Sequence, residues 1–342
     1  MMDNSAKLLD VADLSFRYEE RSLLSLFRRA PSAPNVVSDV SFSIRPGETL
    51  GIVGESGSGK TTIGRLVLGM LQAEAGSIVF RGQPVSGGNR RGGFVRAVQV
   101  VFQNPLDSLD PRIRIGEQIE EPLFIQRLGA PAERREAAMA ALRQVGLPAQ
   151  IADRFPHEVS GGQAQRVVIA RAMMLDPELI ILDEPLSALD LSVQAQIVNL
   201  LLDLQRDVGL SYLFISHDLR MVSYLCHRVA VLFRGRIVES GPSRTVFAAP
   251  SHPYTRILLS SVPDATSGDK RIALRPTGSY APPAAEETGC AFRARCPFAD
   301  AACGTQQPAL RDVGEGHRVA CHHASPGNGA ADTAEERHDA AR

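Results

Sequence analysis

Thr49-Leu50-Gly51-Ile52-Val53-Gly54-Glu55-Ser56-Gly57-Ser58-Gly59-Lys60-Thr61 is a short apolar run that breaks into a glycine-rich turn and ends on a lysine and a hydroxyl. Thr49 to Val53 reads as a buried strand, and beyond Thr61 the apolar residues Ile63, Leu66, Val67 and Met70 recur at helical spacing. Strand, glycine loop and helix, in that order, let successive backbone N–H groups wrap phosphate oxygens, because glycine permits the close turn. Residues 54–61 fit the pattern Gly-x-x-x-x-Gly-Lys-[Ser/Thr]. In that pattern Lys60 neutralises phosphate charge, the Thr61 hydroxyl ligates Mg²⁺, and Thr62 follows on the helix. An ordinary glycine turn would explain neither the flanking strand and helix nor the lysine, a residue found only at positions 7, 60 and 270.

On the N-terminal side, residues 8–18 and 36–44 alternate apolar and polar positions as paired antiparallel strands do, and Pro46-Gly47 punctuates a turn. Residues 21–34 between them read as a surface loop. On the C-terminal side a hairpin is expected around 77–101 with Gly-Gly-Asn-Arg-Arg-Gly-Gly as its tip, and Val98 to Phe102 reads as a buried strand. From 112 to 156 the pattern turns helical, with Ile115 and Ile119 before Pro122, then Ala138, Met139, Leu142 and Val145 before Gly146. An α/β core resumes with a helix over 161–174, a strand at Leu179–Leu182 and a helix carrying Val193, Ile197, Leu200, Leu201 and Leu204. Strands near 212–215 and 229–232 complete it, and the alternation predicts an α/β fold on a mainly parallel sheet. Beyond about 245 periodicity fades into a small appendix, and residues 324–342 read as disordered.

The apolar strand Leu179-Ile180-Ile181-Leu182 ends in Asp183-Glu184. A parallel strand delivers its last residues to the sheet edge where glycine loops also lie, so Asp183 is placed to hold Mg²⁺ and Glu184 to polarise an attacking water as general base. The plainer alternative is a charged strand end that caps a helix.

Val159-Ser160-Gly161-Gly162-Gln163 stands just before that strand, and the three motifs in this order resemble the ATP-binding-cassette (ABC) ATPases, whose usual signature leucine is Val159 here. The resemblance implies a P-loop NTPase (RecA-like) nucleotide-binding domain with an antiparallel β subdomain and a helical subdomain, binding ATP and Mg²⁺. It extends to Gln103, in the place of the family's Q-loop and a further Mg²⁺ contact, to Asp190 in the D-loop Ser187-Ala188-Leu189-Asp190, and to His217 as the switch histidine. Tyr18 matches the aromatic that stacks on adenine. It implies that two such subunits face each other head to tail, with Ser160, Gly161, Gly162 and Gln163 of each acting on the ATP held by the other. Ser160 and the glycines could equally be a helix cap with a flexible entry.

Residues 99–119 and Ser251-His252-Pro253-Tyr254-Thr255 resemble the oligopeptide, dipeptide and nickel importer branch of the family, so that the resemblance spans 8 to about 323. It implies an ATP-hydrolysing motor at the cytoplasmic face of a bacterial inner membrane, peripheral, energising uptake of peptides, or of nickel, glutathione or another solute. Its implied partners are a second ABC ATPase subunit in a heterodimer or homodimer, two integral-membrane permeases and an extracytoplasmic solute-binding protein. The permease is expected to dock on the helical insertion and the Leu106–Asp110 loop, with Leu106 and Leu109 in contact. The implied organisation is an ATPase domain over 8–245 with its helical subdomain at about 112–160, an extension over 246–323 and the tail. Cys290, Cys296, Cys303 and Cys321 have spacing C-x5-C-x6-C-x17-C. The resemblance implies a [4Fe–4S] cluster on them, with Zn²⁺ aided by His317, His322 or His323, or free thiols, as the alternatives. Cys226 stands apart and reads as a small core residue.

The chain has 342 residues, 44% hydrophobic and 22% charged, with a net charge of −1, which gives no electrostatic case for a nucleic-acid partner. No run is long and apolar enough to span a bilayer, and the first ten residues lack the blocks of a signal peptide. A soluble ABC ATPase of DNA repair or translation would leave the importer-like appendix unexplained. A GTPase or small-molecule kinase would leave the Ser-Gly-Gly-Gln segment and His217 unexplained, and no Asn-Lys-x-Asp pattern occurs.

Overall fold

The structure is a computed structural model that describes residues 7–18, 35–85, 93–260 and 288–324. The 21–34 loop, most of the Gly-Gly-Asn-Arg-Arg-Gly-Gly stretch and all but the first residue of the 324–342 tail lie outside the described residues.

Strands β1 (Leu9–Phe16) and β2 (Val37–Ile44) pair antiparallel, Leu9 opposite Ile44 and Phe16 opposite Val37, as their alternation requires. Strand β3 (Thr49–Val53) is buried at every position and runs through the glycine loop into α1 (Lys60–Val67). The helix stops there: Gly69 turns left-handed and Met70, expected on the apolar stripe, is exposed. β4 (Ala75–Phe80) pairs with the free edge of β1, and a tight turn through Arg81-Gly82 returns to β5 (Gln83–Pro84). The hairpin expected over 77–101 is therefore wrong. It closes at residue 84, and after α2 (Gly93–Ala97) the strand β6 (Val98–Val101) joins the other sheet, with only Val98 and Val101 buried.

The helical insertion follows as α3 (Ile115–Ile125), which continues through Pro122, and α4 (Pro131–Gln144). Then come α5 (Gly161–Met173), β7 (Leu179–Asp183), α6 (Leu191–Val208), β8 (Ser211–Ser216), α7 (Leu219–Leu225) and β9 (Arg228–Phe233). β10 (Arg236–Pro242) turns back antiparallel on β9, followed by α8 (Ser243–Ala248) and α9 (Pro253–Ser260). The last described segment carries α10 (Ala301–Thr305), β11 (Arg311–Gly314) and β12 (His317–Val319).

The large sheet has the order β11-β12-β10-β9-β3-β8-β7-β6, and the five consecutive strands from β9 to the edge strand β6 are parallel. Their near-continuous apolar runs suit a sheet covered on both faces. One core lies between this sheet and α3 to α6; α5 alone seats Val167, Val168 and Ile169 there, each worth roughly 2 kcal/mol of burial. A second core fills the space between the two sheets around α1. The appendix is not a detached lobe: β12 pairs with β10, and Phe292, Cys290 and Cys303 belong to the first core.

Candidate active site

Parallel register fixes which residues share an edge. Val53 lies opposite Ser216, Asp183 opposite Ile215, and Val101 opposite Leu182, so β3, β6, β7 and β8 all end on one side of the sheet. The glycine loop, Asp183-Glu184, His217 and Phe102-Gln103 sit at or just beyond those four strand ends, and motifs up to about 160 residues apart in sequence therefore meet.

The loop closes tightly. Gly54 and Gly59 have φ of 156° and 103°, and a Cβ on Gly54 would stand 2.2 Å from the Leu232 carbonyl oxygen. Lys60 is buried and its Nζ donates to the carbonyls of Gly54, at 2.9 Å, and Glu55, at 3.0 Å. Burial pulls the Lys60 ammonium below its ordinary pKa, opposed by the nearby charges of Glu184, Asp183 and Glu55. The buried Ser58 hydroxyl has no hydrogen-bond partner among the described residues, an orphaned donor that suits an anionic ligand.

Thr61 Oγ1 donates to Asp183 Oδ1 at 3.0 Å, which puts the hydroxyl and the carboxylate in one place. Burial raises the Asp183 carboxyl above the usual range, the Thr61 hydrogen bond pulls it down, and the Glu184 charge pushes it up again. A cleft of about 680 Å³ opens beside them, lined by Thr61, Asp183, Gln103 and Ser187 among others. A hydroxyl, a carboxylate and an amide oxygen on one cleft are the hard oxygen donors that Mg²⁺ takes, so the residues fit that ion.

Glu184 is half-buried at a φ of 49°, a left-handed backbone that costs a side-chain-bearing residue roughly 1 kcal/mol. Its N–H donates to the Ile215 carbonyl, and its carboxylate stands between Lys60 Nζ, at 3.9 Å, and His217 Nδ1, at 3.3 Å. Tyr18 is exposed at the end of β1, with its hydroxyl 3.4 Å from Thr62 Oγ1 and its ring edge-on to Phe16.

The Ser160–Gln163 segment is not among the residues lining that cleft. Ser160 Oγ accepts the Gln163 N–H at 3.3 Å and Gln163 Oε1 accepts the Ser160 N–H at 3.1 Å, a reciprocal cap on α5. Asp190 likewise caps α6, accepting from Val193 N–H at 3.0 Å. Both capping residues are exposed.

All five cysteines are free. Cys226 is buried under β3 as expected, its Sγ 2.9 Å from where a Cβ on Gly51 would stand, and burial raises its thiol well above the ordinary range. Cys290, Cys303 and Cys321 are buried and Cys296 half-buried. The thiols lie within electrostatic reach of one another; burial pushes each up, Cys296 to about 12, and neighbouring thiols add to it at Cys290, Cys296 and Cys321, whereas at Cys303 the addition comes from Asp300. Of the three histidines considered for zinc, His317 is turned onto Glu239 at 2.7 Å and His322 onto the Gln306 carbonyl. His323 alone faces a thiol, and Asp300, Cys303 and His323 bring their ligand atoms within 4.8 Å of one another.

Two placements could not be read from motifs. Leu109, expected in a docking loop, is buried in the first core, while Leu106 is exposed. Glu55 of the glycine loop is bonded to two residues of the appendix, Tyr254 and Arg295. The Ser-His-Pro-Tyr-Thr segment that contains Tyr254 was the one sequence signal near it.

Comparison with known proteins points to one family. A family model described as ABC transporter matches residues 37–187, and one described as oligopeptide/dipeptide transporter, C-terminal region, matches 238–303. A putative peptide import ATP-binding protein of Brucella ovis is 49% identical over 318 residues, covering 92% of this chain and 97% of that one. The dipeptide transport ATP-binding protein of Escherichia coli K12 is 42% identical over 316 residues, covering 92% and 93%. Among solved structures, cbiO1 of Clostridium perfringens, part of the ABC transporter complex cbiONQ, superimposes with a TM-score of 0.62 at 26% identity over 71% of this chain and 91% of that one. The dimeric ATP-binding cassette MJ0796, in a post-hydrolysis state with ADP and Pi, gives 0.59 at 25% identity over 69% and 99%.

Proposed function

The chain belongs to the ABC transporter ATPases, and from that premise we propose that it is the ATP-hydrolysing motor of a peptide importer. The observation that carries the reading is the convergence of Lys60, Thr61, Asp183, Glu184 and His217 at the carboxyl edge of one parallel sheet. Importer-type relatives along almost the whole chain supply the direction of transport and the peptide cargo.

In this reading the loop N–H groups and Lys60 hold the phosphates of ATP, and Tyr18 stacks on adenine. Thr61, Gln103 and Asp183 would hold Mg²⁺, which neutralises charge on the β- and γ-phosphates when bound. Glu184 orients the attacking water and accepts its proton, with His217 holding the carboxylate from the other side and reaching the γ-phosphate. A second ATPase subunit completes each site with its own Ser160-type helix end, where N–H groups and the helix dipole favour an anion. A heterodimer suits the branch. No helix among the described residues is long and apolar enough to cross a membrane. In line with the import-type relatives, the chain works at the inner face of the membrane beside two permeases that carry the solute and are fed by a solute-binding protein. The exposed Leu106, Phe124 and Ile125 offer the permease an apolar contact. On the cysteines, four free thiols within electrostatic reach of one another are the donor type a [4Fe–4S] cluster takes, whereas the Asp300, Cys303 and His323 group supports zinc. Iron and sulfide analysis after anaerobic purification separates the two.

Uptake tests the function. A strain deleted for this chain should fail to take up labelled di- and oligopeptides and regain uptake with the wild-type chain but not with Lys60→Ala. Undiminished peptide uptake in the deletion strain, with no other ATPase able to substitute, would refute the cargo.

A further inference from the structure

Glu55 is where the appendix meets the phosphate loop. Its carboxylate receives a two-pronged bond from the Arg295 guanidinium, at 2.8 Å and 2.9 Å. Its N–H donates to the Tyr254 hydroxyl oxygen at 2.9 Å, and its carbonyl accepts from Lys60 Nζ at 3.0 Å. A single loop residue thus carries two contacts to the appendix and one to the ammonium that answers phosphate charge.

Both appendix side chains are held from behind. The Arg295 guanidinium lies 5.7 Å from the Phe292 ring centre and 5.9 Å from that of Phe233, and those two rings pack edge to face at 5.2 Å. The Tyr254 ring completes the cluster, 4.6 Å from Phe233 and 5.5 Å from Phe292. The Tyr254 N–H donates to His252 Nδ1 at 3.0 Å. The N–H groups of Ser251 and His252 donate to the fully buried Glu239 carboxylate at 2.7 Å and 3.0 Å, and His317 meets the same carboxylate at 2.7 Å. The Ser-His-Pro-Tyr-Thr segment is therefore the hinge pin of this network: it takes its place from β10 and β12 and delivers a hydroxyl to the phosphate loop. With the Arg295 side chain 13% exposed and locked between rings, the fork is not an ordinary surface pair, whose ordering cost cancels its attraction.

We propose that Arg295 and Tyr254 are positioning residues for the phosphate loop: acting through Glu55 they fix where Lys60 stands, so that ATP affinity depends on docking of the C-terminal segment. Both residues reach the loop through Glu55. The inference rests on residues 54–61 being the ATP-binding loop, and the controls keep the two apart.

The test is a double-mutant cycle on the full-length chain, read as the dissociation constant for a Mg²⁺-bound non-hydrolysable ATP analogue well below the unfolding temperature of each variant. Arg295→Gln and Glu55→Gln should each weaken binding by about tenfold, and the double variant should be no weaker than the poorer single one. Arg295→Lys keeps the charge without the fork and should fall in between. Tyr254→Phe removes the acceptor for the Glu55 N–H and should weaken binding while leaving the fork. A merely structural role would lower the melting temperature and leave the affinity of the folded chain untouched; wild-type affinity in Arg295→Gln and Arg295→Lys, or losses that multiply in the double variant, would overturn the proposal. Lys60→Ala is the control on the premise: it should abolish binding, and normal binding there would refute the loop assignment itself, and the proposal with it.

Discussion

Glu184 holds a left-handed backbone between a buried ammonium and an exposed imidazole, and the reason is local. Its N–H completes the β7–β8 ladder on the Ile215 carbonyl, while the chain must turn at once into the 186–190 segment. At the same scale, His252 shows how burial sets a titration. Loss of water around the imidazole lowers its pKa to about 4, against the upward pull of Glu239. The unfolded chain binds this proton at about pH 6.5 and the folded chain does not, so stability falls as pH drops from about 6.5 towards 4 and is flat above. Between pH 7 and 5 the loss from this residue is about 2 kcal/mol. His252→Asn keeps an acceptor for the Tyr254 N–H without titrating, and its melting temperature should fall less over that interval than the wild type's; equal acid slopes would refute the assignment. Leu106 and Leu109 divide just as sharply. Charge at buried Leu109 should cost more than about 3 kcal/mol of stability, whereas Leu106→Asp should leave melting unchanged and reduce peptide uptake. The same melting temperature for both variants would contradict their placement.

At the scale of elements, the sequence was legible where period and punctuation agree. Strand β3, the loop and α1 announce themselves because a fully buried parallel strand needs a continuous apolar run and the loop needs glycine. The helices α3 to α6 follow their apolar spacing. The hairpin over 77–101 misled because Val98 to Val101 looks like a partner for 77–80, while nothing local tells the chain that it crosses to the other sheet beside β7. β10, β11 and β12 stayed hidden as well, since short antiparallel strands at a sheet edge carry little alternation. The motif residues of the site were legible as a set, whereas Arg295 was not, since an arginine has no spacing rule and its partner is 240 residues away. The loop offers a test at this scale: Gly54→Ala forces a Cβ to 2.2 Å from the Leu232 carbonyl, so nucleotide binding should be lost although the rest of the fold survives. Wild-type ATP affinity in that variant would show that the loop is less tightly fixed than the structure has it.

For the whole molecule, the sheet is both scaffold and wiring. Its parallel strands gather the ends that carry the candidate site, and its antiparallel flank, β10 to β11, anchors a cysteine-bearing segment that reaches back to the glycine loop. One chain presents a glycine loop and the capped start of α5, and in the proposed motor neither is complete alone. There, this edge of the sheet hydrolyses ATP with Glu184 as base, and transport depends on that step. Steady-state phosphate release by the chain reconstituted with its partner ATPase and permeases, wild type against Glu184→Gln, probes it without intermediaries. Turnover is expected in the wild type and none above background in Glu184→Gln, with ATP-driven pairing of the subunits retained. Hydrolysis at the wild-type rate in Glu184→Gln would contradict the assignment.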